Sequence, residues 1–259
     1  MSEKIVLITG ASGNLGRKLA QHLAGRYTLR LLDRVARHSD VVAADLSSWD
    51  KNWVDLFQGV DAVVHLAADP TAEASWADLV APNIDALINV FAAAAQAKVK
   101  RLVYASSNHV MGGYKDVDQP TTLTTDIPVK PGTRYTWEGS SQTHDSVAYG
   151  GAKLFGERLG KCYADIHGLS TIAVRIGWVR AGDNQAATIP ADTEEWFRLM
   201  WLSNQDFGNL FEHCIEADPA LHFAIVNGMS ANANMRWDIE HTHKLVGYAA
   251  LDHVAQHED

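Results

Sequence analysis

Apolar and polar positions along the chain fall into two alternating textures. Short unbroken apolar runs, of the kind a strand buried on both faces carries, recur between stretches whose apolar residues lie three and four apart, the spacing of an amphipathic helix. Lys4 to Thr9 (KIVLIT) is the first such strand, and Arg17 to Ala24 continues as helix. Thr28 to Leu32, Val41 to Ala44, Asp61 to Leu66 and Arg101 to Ser106 read as further strands. Helices fall between them over Trp53 to Phe57 and Ile84 to Ala97, the latter with Pro82 near its start, where proline is tolerated. Leu154, Phe155, Leu159, Tyr163 and Ile166 mark another helix. Strand and helix in succession predict right-handed βαβ units, hence an α/β fold with a Rossmann-type, doubly wound parallel sheet. A single domain over 1–259 is expected, with residues 178–259 contributing most of a small C-terminal substrate-binding cap. No internal repeat or low-complexity linker interrupts the pattern.

Composition narrows the function classes. With 259 residues, 47% of them hydrophobic, the chain can bury one large core. A net charge of −9 argues against nucleic acid or an anionic membrane as partner. Cys162 and Cys214 sit in helical stretches without metal-ligand spacing, which suits free thiols in a reducing compartment. His241 and His243 lack further ligands at sensible spacing, so no metal is expected. The first strand starts too early for a signal peptide and no apolar run reaches ~18 residues, so a cytoplasmic protein is expected.

Candidate chemistry collects where the predicted strands end. Gly10-Ala11-Ser12-Gly13-Asn14-Leu15-Gly16 joins the first strand to its helix. Glycines there let a backbone approach a pyrophosphate, whose charge then rests on the helix N-terminus. Asp33 ends the second strand, 17 residues after Gly16. A carboxylate there can accept both adenosine ribose hydroxyls and repel a 2′-phosphate, which favours NAD over NADP. Arg34 beside it can instead cover the adenine or tolerate that phosphate. Asp45-Leu46 follows the third strand, where the aspartate can accept from the adenine amino group. Leu66 ends the fourth strand, and the small pair Ala67-Ala68 after it suits backbone contact with a cofactor. Ser106-Ser107-Asn108-His109 ends the fifth strand, in the crevice where open α/β sheets bind ligands. Tyr149 and Lys153, four apart on the helix that follows, share a face. A neighbouring ammonium favours the phenolate, so the pair can form a general base.

Taken together, GASGNLG, Asp33, HLAA, SSN and YxxxK resemble the extended short-chain dehydrogenase/reductases, over nearly the whole chain. The resemblance implies an NAD-dependent enzyme whose catalytic residues are Ser107, Tyr149 and Lys153. It makes Tyr149 the base and Ser107 the donor that orients the reacting oxygen. Lys153 would hold the nicotinamide ribose and acidify the tyrosine. Asn83 would order a water relay to that lysine, and the RIG tripeptide would bring Ile176 to the cofactor.

More narrowly, SSNHVMGGY, RIG, WLSNQDF and the NGMSANANMRWDIEHTHKLVGY tail are similar to uronate dehydrogenases. That similarity implies oxidation of the anomeric carbon of a hexuronic acid to an aldonolactone, with Asn108 and His109 on substrate hydroxyls and Arg198 on the C6 carboxylate. The chain departs from these enzymes at Asp69-Pro70-Thr71 and Trp178, and in longer segments over Gly132 to Val147 and Ala181 to Glu195. All four departures fall where the distal end of the sugar would be read. A C6 sulfonate, as in sulfoquinovose, is therefore the alternative substrate, with Trp137 or Trp178 as an aromatic wall. Lys130, Arg134, Arg180 and Arg198 are the candidate cations. A nucleotide-sugar epimerase or dehydratase would need a larger C-terminal domain than the 82 residues after Gly177. A non-catalytic NAD(P) sensor would not need the Tyr/Lys pair. A small sugar acid is the expected partner and a homo-oligomer the expected assembly.

Overall fold

Seven parallel strands form the centre of the structure, a computed structural model that describes residues 4–136 and 143–255. In chain order the elements are β1 (Ile5–Thr9), α1 (Asn14–Leu23), β2 (Thr28–Asp33), β3 (Val41–Ala43), α2 (Lys51–Val54), β4 (Ala62–His65), α3 (Trp76–Leu79), α4 (Ala86–Gln96) and β5 (Arg101–Ser107). They continue with β6 (Arg134–Thr136), β7 (Thr143–Asp145), α5 (Val147–His167), β8 (Ser170–Ile176), α6 (Glu195–Leu199), α7 (Asn204–Glu216), β9 (Phe223–Gly228) and α8 (Glu240–Val246). The sheet order is β3-β2-β1-β4-β5-β8-β9, and β6 and β7 form a separate antiparallel pair. The chain runs outward from β1 to β3 and then returns to β4 on the other side of β1. That reversal opens a crevice beyond the paired strand ends Thr9 and His65.

Helices cover both faces, which is why the strands read as unbroken apolar runs. Along β1, Val6 and Ile8 face one layer and Leu7 the other. The first layer receives Leu19 and Leu23 of α1 and Phe207, Leu210 and Phe211 of α7. The second receives Trp53 of α2 and Leu87, Val90 and Phe91 of α4. Each such fully buried Leu, Ile or Phe contributes ~1.5–3 kcal/mol relative to exposure.

Two local departures from the expected elements have physical causes. The first helix begins at Asn14 rather than Arg17, with Gly16 inside its first turn. A Cβ on Gly16 would lie 2.1 Å from the Gly10 carbonyl oxygen, so the tight turn needs a glycine. Between α3 and α4 the chain forms a π-helical turn over Val80–Asp85. Pro82 sits inside it and has no N–H to give the preceding turn, which accounts for the widening. The helical run Trp76–Gln96 is long and apolar enough to cross a membrane, which the sequence reading did not anticipate. Here its apolar side packs on the sheet through α4.

Residues 178–255 divide between two roles. β9, α7 and α8 complete the sheet and its first layer. Trp196, Met200, Met229 and Trp237 instead pack with Met111 and Tyr114, from the turn after β5, into a core beyond the sheet edge. The core beyond the sheet edge is thus built from two stretches of chain.

Candidate active site

The crevice holds a cavity of about 880 Å³ that runs from the end of β2 to the start of α5. At one end, the Asp33 carboxylate accepts from the Ser12 N–H at 2.9 Å and the Val35 N–H at 3.1 Å. It therefore shapes the glycine-rich turn as well as presenting a charge. Gly10 has φ +72°, and a Cβ there would come within 2.7 Å of the Ala67 nitrogen, so the two loops meet backbone to backbone. Gly13 caps α1 without a side-chain bond, and no acidic residue stands in the first turn. The first-turn N–H groups are left for an anion from the cavity. Asp45 accepts from the Ser47 N–H and hydroxyl at 3.0 and 2.6 Å, and these bonds hold its carboxyl below the usual range. Uncapped helix, close glycine turn and terminal carboxylate fit a dinucleotide. Every cofactor residue expected from the sequence lines this cavity except Asn83.

Asn83 stands outside this lining. It is buried in the π-helical turn, where its Oδ1 accepts from the Asp69 N–H at 2.7 Å and its Nδ2 donates to the Asp69 carbonyl at 3.1 Å. The wide turn carries its amide to the Asp69-Pro70 loop, which it holds in place.

At the other end of the cavity stand Ser107, Asn108, His109, Tyr149 and Lys153. Ser107 ends β5, and its hydroxyl accepts from the His109 N–H at 3.2 Å. A hydrogen bond from Ser107 also favours the ionised Tyr149 phenol. The His109 ring stands edge-on to Tyr149, centroids 5.3 Å apart, and its Nδ1 pairs with the Ser146 hydroxyl at 3.1 Å. Burial pushes the His109 pKa down to about 4, so the ring is neutral. Asn108 donates to the Ile176 carbonyl at 3.2 Å, tying the turn after β5 to β8.

Lys153 lies 5.7 Å from the Tyr149 ring centroid, as the shared helix face requires, and donates to the Ala105 carbonyl at 2.9 Å. The electrostatics differ from the expectation that lysine would acidify tyrosine. Burial pushes Lys153 down to about 8 and Tyr149 up to about 12, with the Ser107 hydrogen bond working against the latter. Desolvation by burial is the largest cause of both shifts, and each favours the neutral form of its group.

Behind the pair lies a buried brace that sequence reading missed. Glu157, one turn after Lys153, accepts from the Ser106 hydroxyl and from Nε and Nη2 of Arg175, each at 2.8 Å. The side chains of Arg175 and Glu157 are 1% and 0% exposed. Ser106 and Arg175 are register partners on β5 and β8, so one carboxylate fixes α5 to both strands. The i, i+4, i+8 series Tyr149, Lys153, Glu157 was available as a signal.

The distal wall departs most from expectation. Trp178 lines the cavity, beside Phe197 at 5.6 Å between centroids. Arg198 does not reach it. On the short α6, Phe197 and Met200 share the inward face, and Arg198 lies about 100° around the helix from Phe197. Arg180 also stands outside the lining: its guanidinium stacks on Trp178 at 5.6 Å and donates to Thr188 at 3.0 Å. Trp137 lies outside the described residues. Sharing Asn108, His109, Phe197 and Met200 with the main cavity is a side pocket of about 30 Å³. Its other lining residues include Thr133, Ser146 and Glu194, from the two longer segments expected near the distal end of the sugar, and Glu73, Lys115 and Trp196, which were not expected there.

Residues 6–180 match the model of the NAD dependent epimerase/dehydratase family. An NAD-dependent glucose-6-phosphate dehydrogenase of Haloferax volcanii is 35% identical over 97% of this chain and 94% of its own. An L-arabinose 1-dehydrogenase (NAD(P)(+)) of the same organism is 35% identical over 96% of this chain and 97% of its own. Among solved structures, a variant of uronate dehydrogenase from Agrobacterium tumefaciens complexed with NAD superposes with a TM-score of 0.76 at 30% identity, covering 98% of this chain and 86% of that one. A family match over more than half the chain, with relatives of this identity along nearly its full length, agrees with the glycine turn, Asp33 and the Tyr149–Lys153 pair: the chain belongs to the NAD dependent epimerase/dehydratase family.

Proposed function

We propose that the protein is an NAD-dependent sugar 1-dehydrogenase that oxidises C1 of a free aldopyranose to the aldonolactone. The observation that carries this reading is the single cavity joining the glycine turn and Asp33 to Ser107, Tyr149 and Lys153. When bound, NAD supplies the acceptor for the hydride that leaves C1. Ser107 donates to the C1 oxygen and orients it, and the Tyr149 oxygen takes the C1 hydroxyl proton as the carbonyl forms. Tyr149 can do so only with its own proton removed. Lys153, buried on the same helix face, is the group placed to stabilise that phenolate. Asn108 and His109 line the place where sugar hydroxyls would lie.

The group distal to C1 is an anion in this reading, a hexuronate carboxylate first. Support comes from the relatives named as uronate and glucose-6-phosphate dehydrogenases. The second of these names carries a tetrahedral oxyanion, which keeps a C6 sulfonate such as sulfoquinovose as the second reading. The relatives named as dehydrogenases of free sugars favour this reading over an epimerase or dehydratase acting on nucleotide sugars. The test is a screen by NADH absorbance over D-glucuronate, D-galacturonate, sulfoquinovose, glucose 6-phosphate, L-arabinose, D-glucose and UDP-glucose. Turnover of a free anionic aldose is expected. Reaction with UDP-glucose alone would point to a nucleotide-sugar enzyme, and no turnover at all to a sensor.

A further inference from the structure

We propose that the side pocket is the subsite for the substrate's distal anion and that Lys115 is the cation that reads it, with Glu194 as a displaceable counter-ion. The inference rests on the aldose reading above and names the residue that would select its anionic members. Four separate stretches of chain meet at this pocket, one of them the loop that carries Glu73. Lys115 closes the turn after β5, Thr133 and Ser146 flank the β6–β7 hairpin, and Glu194 precedes α6. The pocket shares Asn108 and His109 with the catalytic end, and His109 packs on Tyr149.

The cations lining the two cavities, among the described residues, leave one candidate. Arg34 and Arg37 stand at the Asp33 end, and Lys153 is engaged by Ala105 beside Tyr149. Lys115 is the cation at the far end. Its side chain is 14% exposed and pairs with Glu194, and at 3.5 Å with Asp116. Glu73, the other carboxylate of the lining, accepts from His144 at 2.9 Å.

Volume and charge together suggest exchange. A pocket of about 30 Å³ has room for one or two water-sized probes, not for a carboxylate or sulfonate with its carbon. Glu194 is 38% exposed and makes no capping bond to α6, so it can swing to water. A substrate anion that takes its place leaves Lys115 paired, and no buried charge is stranded. A neutral sugar gains no such contact.

The test uses the NADH-loaded full chain. Binding of D-glucuronate, ethanesulfonate and D-glucose is read by tryptophan fluorescence, since Trp196 lines the pocket, alongside kcat/KM for the two sugars. Lys115→Met should weaken glucuronate about tenfold or more and lower the glucuronate-to-glucose ratio of kcat/KM by a similar factor. Lys115→Arg should restore most of that loss, and Glu194→Gln should tighten glucuronate several-fold. Equal loss for both sugars in K115M, or weaker glucuronate binding in E194Q, would overturn the proposal. Should no aldose turn over, the functional reading fails, and the ethanesulfonate arm still decides the subsite: binding that K115M abolishes supports it. Absence of anion binding by the wild type overturns it.

Discussion

Replacing Glu157 tests whether the buried brace behind the catalytic pair holds both the fold and the site. The side chain is fully buried and accepts three hydrogen bonds, two of them from Arg175. Arg175 is equally buried, and its Nη1 already has no partner. Glu157→Ala would strand the guanidinium in the core, at a cost of about 3–5 kcal/mol. For a chain of this length each kcal/mol lowers Tm by roughly 2 °C, so a fall of about 6–10 °C is expected. Thermal unfolding followed by circular dichroism measures it. Removing both charges in Glu157→Leu/Arg175→Met should recover much of the loss, because the penalty is the unpaired charge rather than the absent pair. Ser106 and Arg175 immediately precede Ser107 and Ile176, so kcat should fall with Tm in the single variant. A single variant within about 2 °C of wild type, or a double variant no better than the single, would refute the reasoning.

Asp33→Asn removes the charge at the glycine-turn end of the cavity and keeps one of the two oxygens that accept from the Ser12 and Val35 N–H groups. The ratio of kcat/KM for NAD over NADP should fall by about tenfold, the scale of one partly screened charge pair, and an unchanged ratio would assign the preference elsewhere. Arg198→Ala should leave KM for an anionic sugar within about threefold, because the guanidinium lies outside both cavities, and a larger rise would place it at the substrate after all. Stability should fall in acid. Burial holds His65 down to about 3 and His109 to about 4, while the unfolded chain takes up these protons near pH 6.5. The unfolded state thus binds more protons below pH ~6.5, and each histidine removes about 1.4 kcal/mol per pH unit until its folded pKa is reached. Urea titrations from pH 7 to 4.5 follow the loss, and His65→Asn should flatten it.

Much of the fold was legible because a strand buried on both faces leaves an unbroken apolar run, as β1, β4 and β5 do. The cofactor end was legible for a related reason: a glycine turn, a strand-terminal carboxylate and a helix N-terminus are local in sequence. Two side chains were misplaced where helix phase was not readable. Pro82 widens a turn and carries Asn83 to the Asp69 loop, and the short α6 aims Phe197 rather than Arg198 inward. The Lys115–Glu194 pair joins residues far apart in sequence, which no local pattern announces. Pairing between Tyr149 and Lys153 follows from helix geometry, but the depth of burial that raises the phenol does not.

The central claim is that Tyr149 takes the proton from the C1 hydroxyl of a free aldose as the hydride leaves C1. NADH formation from NAD and D-glucuronate by wild type and Tyr149→Phe, with the product read by NMR, tests it directly. The expected result is the aldarolactone of glucuronate from the wild type and a rate lower by ~10²–10⁴ in the variant, whose NADH affinity is retained because the ring remains. Tyr149→Phe activity within a few fold of wild type, or a product oxidised at any carbon other than C1, would contradict the account.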